Sequence, residues 1–357
     1  MDTTEKGRST AREQTMRHNL ILTGDINLLG VTDPTIPFAH VRDRLHAADV
    51  VTANLECCFY EPDGERSPED EGFYAPLKAA EALTIAGVHA VGNANNVNYG
   101  AAAIRSSLKR LDELDILHTG AGVNIVEARQ PVILERDGMR FGFLQRTSVY
   151  WSHGHEARAN YPGVATIKAH TAYRPQIEQL RTLTWPDMPP EVVTWTDPAA
   201  LAQFREDVAA LRSRADIVIA SHHWGLDQEV LAYQVEIAHT AVDAGADLVM
   251  GHGPHMPLGI EIYKDKSIFY GVGSFSFETG HRGRTHPDWI GLMLHIAAED
   301  AALVRATFSF VRHNAERNNP PPHRHGAGGA RPAASPPTRF ATALEVEGDE
   351  VVVWPKP

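Results

Sequence analysis

Five stretches of this 357-residue chain set metal-competent side chains directly after short apolar runs. LILTG leads to Asp25 and Asn27, and VVTA to Asn54 and Glu56. VHAVG is followed by Asn93, Asn95 and Asn96, DIVIAS by His222, His223 and Asp227, and DLVMG by His252 and His255. Singly, each has an ordinary explanation: an Asp after a strand forms a turn, and an isolated His is a satisfied polar residue. Together they supply carboxylate, amide and imidazole, the donors that a divalent cation takes, and burying them unpaired would be costly. In an open α/β sheet the loops beyond the carboxyl ends of the strands converge, which is where such donors would meet. The expectation is a metal site.

The elements that must position these groups follow from periodicity. Strands are expected at 18–24, 49–56 and 88–93, alternating with helices at 38–49, 75–87 and 100–114, where Ile104, Leu108, Leu111 and Leu114 recur at helical intervals. A hairpin turning at Asp137-Gly138 spans 131–145. Residues 148–198 form an aromatic-rich insert with Tyr150, Trp151, Tyr161, Tyr173, Trp185 and Trp195, either a pocket wall or an anchor to the core. Order returns with a helix near 199–214, a strand at 215–221, a helix at 229–244, a strand at 246–251 and further strands at 259–272 and 289–311. The pattern predicts one α/β domain over 18–311, with the first 17 residues outside it. Residues 312–338, PPPHRHGAGGARPAASPP at their heart, are low-complexity, so His323 and His325 are expected on a flexible surface segment; 339–357 contains a closing hairpin.

Composition excludes some functions. A formal net charge of −12, from 33 basic and 45 acidic residues, is wrong for a phosphate-backbone partner, so no nucleic acid is expected. The first nineteen residues carry no apolar stretch and no later run spans a bilayer, which predicts a cytoplasmic protein with no membrane partner. Cys57 and Cys58, the only cysteines, are adjacent and read as two small residues packed near a strand end. Nothing in the sequence sets the oligomeric state.

The segment GADLVMGHGPHMPLGIEIYKDKSIFYGVGSFSFE, 245–278, with HHWG, GD and NLE elsewhere, resembles the CapA family, named for poly-γ-glutamate capsule synthesis, within the calcineurin-like metallophosphoesterase fold. The resemblance covers about 18–311 and implies a layered β-sheet sandwich flanked by helices. It places Asp25 as the first metal aspartate, Asn27 where a His is common, Glu56 as the second acidic ligand, and Asn93 as the Asn of a GNH-type motif. His223 matches the His of HWG, and His252 and His255 the closing histidines. The ligand set so implied is Asp25, Asn27, Glu56, Asn93, Asn95, His222, His252 and His255. One cation is expected, Ca²⁺ before Mn²⁺ or Mg²⁺, because amides replace imidazoles and oxygen donors suit a hard ion. No organic cofactor is implied.

The chain departs from the family at one position. Phosphoesterases of the fold carry a His after the motif Asn that assists the leaving group; here Ala94 follows Asn93, and aligned to A-N-N-H without a gap, Asn95 takes the place of the His. An amide is no general acid near neutral pH. What remains is a cation with imidazole–carboxylate couples: His223 with Asp227, and His252 or His255 with Asp25. Such couples suit removal of a proton from one face of a carbon and its delivery to the other. The resemblance extends to the branch that epimerises the C-terminal residue of lasso-peptide precursors in ribosomal peptide biosynthesis. A metal-dependent peptide epimerase with a peptide substrate is the leading expectation. A soluble CapA-like metallophosphoesterase or poly-γ-glutamate-type enzyme is the second, and a non-catalytic metal-containing binding module the third. His153 and His155 are expected on a surface loop, and His295 within a strand.

Overall fold

Side-chain parity along the strands builds the protein in layers. A computed structural model describes residues 17–62, 73–175, 190–225, 229–277, 290–312 and 344–354. The chain runs through β1 (Arg17–Asn27), α1 (Arg42–His46), β2 (Val50–Leu55), α2 (Glu81–Ala86), β3 (Ala90–Gly92), α3 (Ala101–Glu113) and β4 (Leu117–Thr119). It continues with β5 (Val132–Arg136), β6 (Met139–Thr147), α4 (Pro198–Arg212), β7 (Ile217–His223), α5 (Ala232–Asp243) and β8 (Leu248–His252). Then come β9 (Ile260–Tyr263), β10 (Lys266–Phe269), β11 (Ser274–Phe277), β12 (Ile290–Glu299), β13 (Ala302–Arg312), β14 (Glu345–Glu347) and β15 (Glu350–Trp354).

Two sheets result. The first has the order β14-β15-β13-β12-β1-β2-β3-β4, with β11 added in parallel at the end of β1. The second has the order β9-β10-β8-β7-β6-β5, in which β6, β7, β8 and β10 run parallel. Alternate residues of each strand face opposite sides. Leu20, Leu22, Val50, Leu292 and Leu294 of the first sheet meet Phe141, Phe143, Ile217, Ile219, Leu248 and Met250 of the second in one buried layer. The intervening residues face outward. Ile21, Val51, Ala53 and Met293 pack under Leu45, Leu83 and Ala86 near α1 and α2, and Val218, Ala220 and Val249 pack under Phe204, Val208, Ile237 and Ala241 of α4 and α5. This is the layered sandwich flanked by helices that the sequence predicts.

Most elements stand where periodicity puts them, and the differences have local causes. The helix expected over 38–49 is confined to Arg42–His46, preceded by turns. The helix expected over 75–87 opens with a tight 3₁₀ turn, Leu77–Ala80, after Pro76. The hairpin turns at Asp137 and Gly138, both with positive φ, 47° and 82°, the conformation that twists with the strands. The aromatic insert contributes an antiparallel pair, Ala169–Arg174 with Glu191–Thr196. The C-terminal hairpin joins the first sheet through β15 on β13. Cys57 and Cys58 are both free and fully buried, as expected. His323 and His325 lie outside the described residues, as does Trp185. No helix among the described residues is long and apolar enough to cross a membrane.

Candidate metal centre

Parity also decides which strand-end residues meet. Val50, Ala90, Ile217, Ile219, Leu248 and Met250 face the inter-sheet layer, so Asn54 at the end of β2, His223 at the end of β7 and His252 at the end of β8 continue those inward rows. Asp25, beyond a register shift in β1, pairs with Asn54 on one side and Ser274 on the other. The inward rows end together at one mouth of the sandwich.

There Asp25, Glu56 and His255 converge, one ligand atom from each lying within 4.8 Å of the others. His252 Nδ1 is 3.1 Å from Asp25 Oδ1, and Asn54 Nδ2 donates to the same oxygen at 2.8 Å. His255 Nδ1 stands 3.1 Å from Asp25 Oδ2 and its Nε2 3.6 Å from Glu56 Oε1. His223 Nε2 approaches that Glu56 oxygen at 3.7 Å. Asp25 is fully buried. Burial opposes its charge, yet hydrogen bonds and positive charge from His252 and His255 hold its carboxyl well below the usual carboxylate range. Burial likewise opposes a proton on His255, but the charge of Glu56 and the contact with Asp25 raise it to about 9.

Among the buried atoms at these strand ends that make no hydrogen bond are Glu56 Oε2, Asn93 Oδ1 and His223 Nε2, while Asp25 Oδ2 meets His255 Nδ1 at 3.1 Å. Buried polar atoms are normally satisfied. Orphaned oxygen and nitrogen donors of these types, on elements that converge, fit a divalent cation. The backbone is specialised for this arrangement. His255 adopts a left-handed φ of 58°, a conformation non-glycine residues hold only where surroundings impose it. Gly253 has φ of 108°, and a Cβ there would lie 2.5 Å from the Trp224 carbonyl oxygen and 3.2 Å from His223 Cε1.

The sequence expectations divide accordingly. Asp25, Glu56, His223, His252 and His255 are brought together, with Asn93 at the adjoining strand end. Asn27 is not a free ligand: its Nδ2 donates to the Glu56 carbonyl and its Oδ1 accepts from Leu29 N, so it fixes the loop that carries Glu56. Asn95 is equally committed, donating to Asn54 Oδ1 and the Leu55 carbonyl and accepting from the N–H groups of Val97 and Asn98. His222 is turned away. Because β7 runs two residues further than expected, His222 and His223 fall on opposite faces; His222 packs against Trp224 and Phe204, with Nε2 3.0 Å from Ser148 Oγ. Burial pushes its pKa well below the ordinary value, so it stays neutral. Asp227 lies outside the described residues.

Two residues differ from expectation or escaped it. His155 is not on the surface but fully buried, its Nδ1 accepting from the Trp151 N–H. Burial lowers its pKa to about 4, against the opposing effect of the Asn98 and Asn95 backbone, so it is neutral and supplies no acid in place of the missing histidine. Asn98, which ties the Asn93 and Leu55 carbonyls together, had no signal beyond being one more Asn in the run. His295 is remote from the centre: it lines a cavity of about 380 Å³ at the opposite end of β1, with Arg17, Arg44, Arg305 and Glu350.

With this geometry in view, the family model for the bacterial capsule synthesis protein PGA_cap matches residues 7–279. The chain belongs to this family. PGA_cap relatives include the capsule biosynthesis protein CapA of Bacillus anthracis, 28% identical over 250 residues, covering 68% of this chain and 54% of that protein. The PGA biosynthesis protein CapA of Bacillus subtilis is 24% identical over 249 residues, covering 68% and 57%. A probable polyglutamine synthesis accessory protein of Mycobacterium tuberculosis is 29% identical over 238 residues, covering 64% and 55%. The chain thus spans little more than half the length of these PGA_cap relatives. Among solved structures, a phosphatase from Mycoplasma pneumoniae covers 86% of this chain and 96% of its own at 13% identity, with a TM-score of 0.48.

Proposed function

We propose that the protein is a divalent-metal-dependent peptide epimerase that moves the Cα proton beside a bound carboxylate, its substrate class being the C-terminal residue of a lasso-type precursor peptide. One observation carries this reading. The mouth of the sandwich combines unsatisfied oxygen donors with two imidazoles on one Glu56 oxygen, while the residue at the place of the leaving-group histidine, Asn95, has its amide wholly engaged by neighbours.

Asp25, Glu56 and Asn93 are the residues that would hold the cation, an oxygen set suited to Ca²⁺ first and to Mn²⁺ or Mg²⁺ next. When bound, the cation would offset the charge of the substrate carboxylate and of the enolate formed from it. His223, whose Nε2 has no hydrogen-bond partner, takes the Cα proton. His255, which spans Asp25 and Glu56, returns one. His252 holds Asp25 through Oδ1. At the rim, Trp151, 59% exposed, hydrogen-bonds the Asn96 carbonyl and neighbours Tyr99, a surface for apolar residues of a peptide. The charge of −12 favours such a partner over nucleic acid. We assign the cytoplasm as its setting, where the two buried thiols stay reduced.

The test is incubation of metal-loaded protein with candidate peptides in D₂O. A gain of about one dalton at the C-terminal residue, with D-configuration appearing, supports the reading. Unlabelled peptide together with phosphate release from an aryl phosphate ester would replace it with the hydrolytic alternative. That second reading, a CapA-like enzyme acting on phosphate or γ-glutamyl substrates, has in its favour the names of the capsule and polyglutamine relatives. Metal binding with silence in both assays would leave a binding module.

A further inference from the structure

The Gln145 side chain crosses from the second sheet to the first. It stands on the inward row of β6 that includes Phe141 and Phe143, and it is 1% exposed. Its reach is specific. Ala94 N–H donates to Gln145 Oε1 at 2.7 Å, and Gln145 Nε2 donates to Asn54 Oδ1 at 3.0 Å. Asn95 Nδ2 donates to the same Asn54 oxygen at 3.1 Å, and Asn54 Nδ2 donates to Asp25 Oδ1 at 2.8 Å.

The direction of this chain is fixed at its start. A backbone N–H can only donate, so the Gln145 atom facing Ala94 must be the carbonyl oxygen, and the atom facing Asn54 must be the NH₂. That donor, joined by Asn95, turns the Asn54 carbonyl toward them and its NH₂ toward Asp25. Asp25 Oδ1 is then taken up by two N–H groups, from Asn54 and from His252, and Oδ2 is left as the oxygen turned toward His255, 3.1 Å from its Nδ1. Were the Asn54 amide reversed, its oxygen would face a carboxylate oxygen at hydrogen-bond distance, which is repulsive. The backbone makes room for this amide: a Cβ at Gly92 would lie 2.3–2.5 Å from the atoms of the Gln145 amide.

We infer that Gln145 is a positioning residue for the metal centre, setting through Asn54 which oxygen of Asp25 is offered to a cation, and through Ala94 where the Asn93 loop sits. The inference rests on the metal reading of Asp25, Glu56 and Asn93. Partners one step removed from metal ligands commonly govern affinity by ten- to a hundredfold.

The experiment measures Mn²⁺ affinity by titration calorimetry on the metal-stripped 357-residue chain, for the parent, Gln145→Met, Gln145→Glu, Asn54→Ala and the Gln145→Met/Asn54→Ala pair, with thermal melts alongside. Gln145→Met keeps the volume and Gln145→Glu keeps an acceptor for Ala94 while removing the donor to Asn54. The expected result is about ten- to a hundredfold weaker Mn²⁺ binding in both single Gln145 variants, which fold cooperatively, and no further loss when Gln145→Met is added to Asn54→Ala. Additive losses in the pair would mean that Gln145 does not act through Asn54 and would overturn the inference. So would parent-like affinity in the two Gln145 variants, which leaves the metal reading standing. A parent that binds no divalent ion removes the metal reading first, and this inference with it.

Discussion

His255 Nδ1 lies 3.1 Å from Asp25 Oδ2. The other nitrogen of the same ring is 3.6 Å from Glu56 Oε1, so one imidazole closes the gap between two buried carboxylates. The raised proton affinity of His255 follows from that placement. A proton there and a divalent cation on the carboxylates neutralise the same charge, and they compete.

The competition sets a pH dependence with a defined sign. In metal-free protein the pKa of His255 rises from 6.5 to about 9, so its stabilisation is fully present below about pH 6.5 and is lost as pH climbs through 9. Asp25 acts in the opposite sense: its lowered pKa stabilises above 3.8 and the gain is lost in stronger acid. Metal-free protein should therefore be most stable between about pH 4 and 6.5. The alkaline loss should be on the order of 3 kcal/mol, read as a falling melting temperature in chelator between pH 6.5 and 9.5, and His255→Gln should flatten it. With saturating metal the slope should reverse, because binding tightens as protons leave.

Asp25 is the residue on which the cation reading is most exposed. Asp25→Ala removes the carboxylate that touches His252, His255 and Asn54 together. Elemental analysis of the purified variant should show loss of the bound divalent ion, while the parent retains about one equivalent. Full metal content in the variant would refute the assignment of this mouth as the metal centre.

The fold was legible in the sequence because its strands are buried runs and its helices amphipathic; β1, β2, β3, β7 and β8 stand within two or three residues of expectation. Convergence of the site was legible for the same reason, since parallel strands deliver their ends to one mouth. Two things were not. Strand parity separates His222 from His223 only once the end of β7 is known, and one extra residue changes which side chain points inward. Asn27 and Asn95 have the right chemistry for ligands, but their amides serve backbone groups of Glu56, Leu29, Leu55, Val97 and Asn98, pairings that sequence spacing does not encode. His155 carried no sign of burial because its cover comes from the Asn95–Tyr99 loop, more than fifty residues away.

Asn95 allows a test against the hydrolytic reading. Restoring the family histidine by Asn95→His would remove donors to Asn54 Oδ1 and the Leu55 carbonyl and an acceptor for two backbone N–H groups, all buried. Each group left unsatisfied costs about 1–3 kcal/mol. Asn95→His should therefore unfold at markedly lower urea and gain no activity on aryl phosphates. A stable variant with phosphatase turnover would show that the loop tolerates the histidine and that only this residue separates the chain from a hydrolase.

Adjacent histidines give the sharpest contrast. His223 Nε2 points at Glu56 in the mouth, whereas His222 is enclosed by Trp224, Phe204 and Ser148 behind the sheet. His223→Gln should fold with stability within about 1 kcal/mol of the parent and lower deuterium incorporation into peptide by a hundredfold or more, since it deletes the proposed base. His222→Leu should do the reverse: about 1–3 kcal/mol of stability lost with the Ser148 contact, and exchange per folded molecule unchanged. Melting curves and deuterium counts on the two variants separate these outcomes. Swapped phenotypes would place the wrong imidazole in the site and require a strand register one residue different from that of β7.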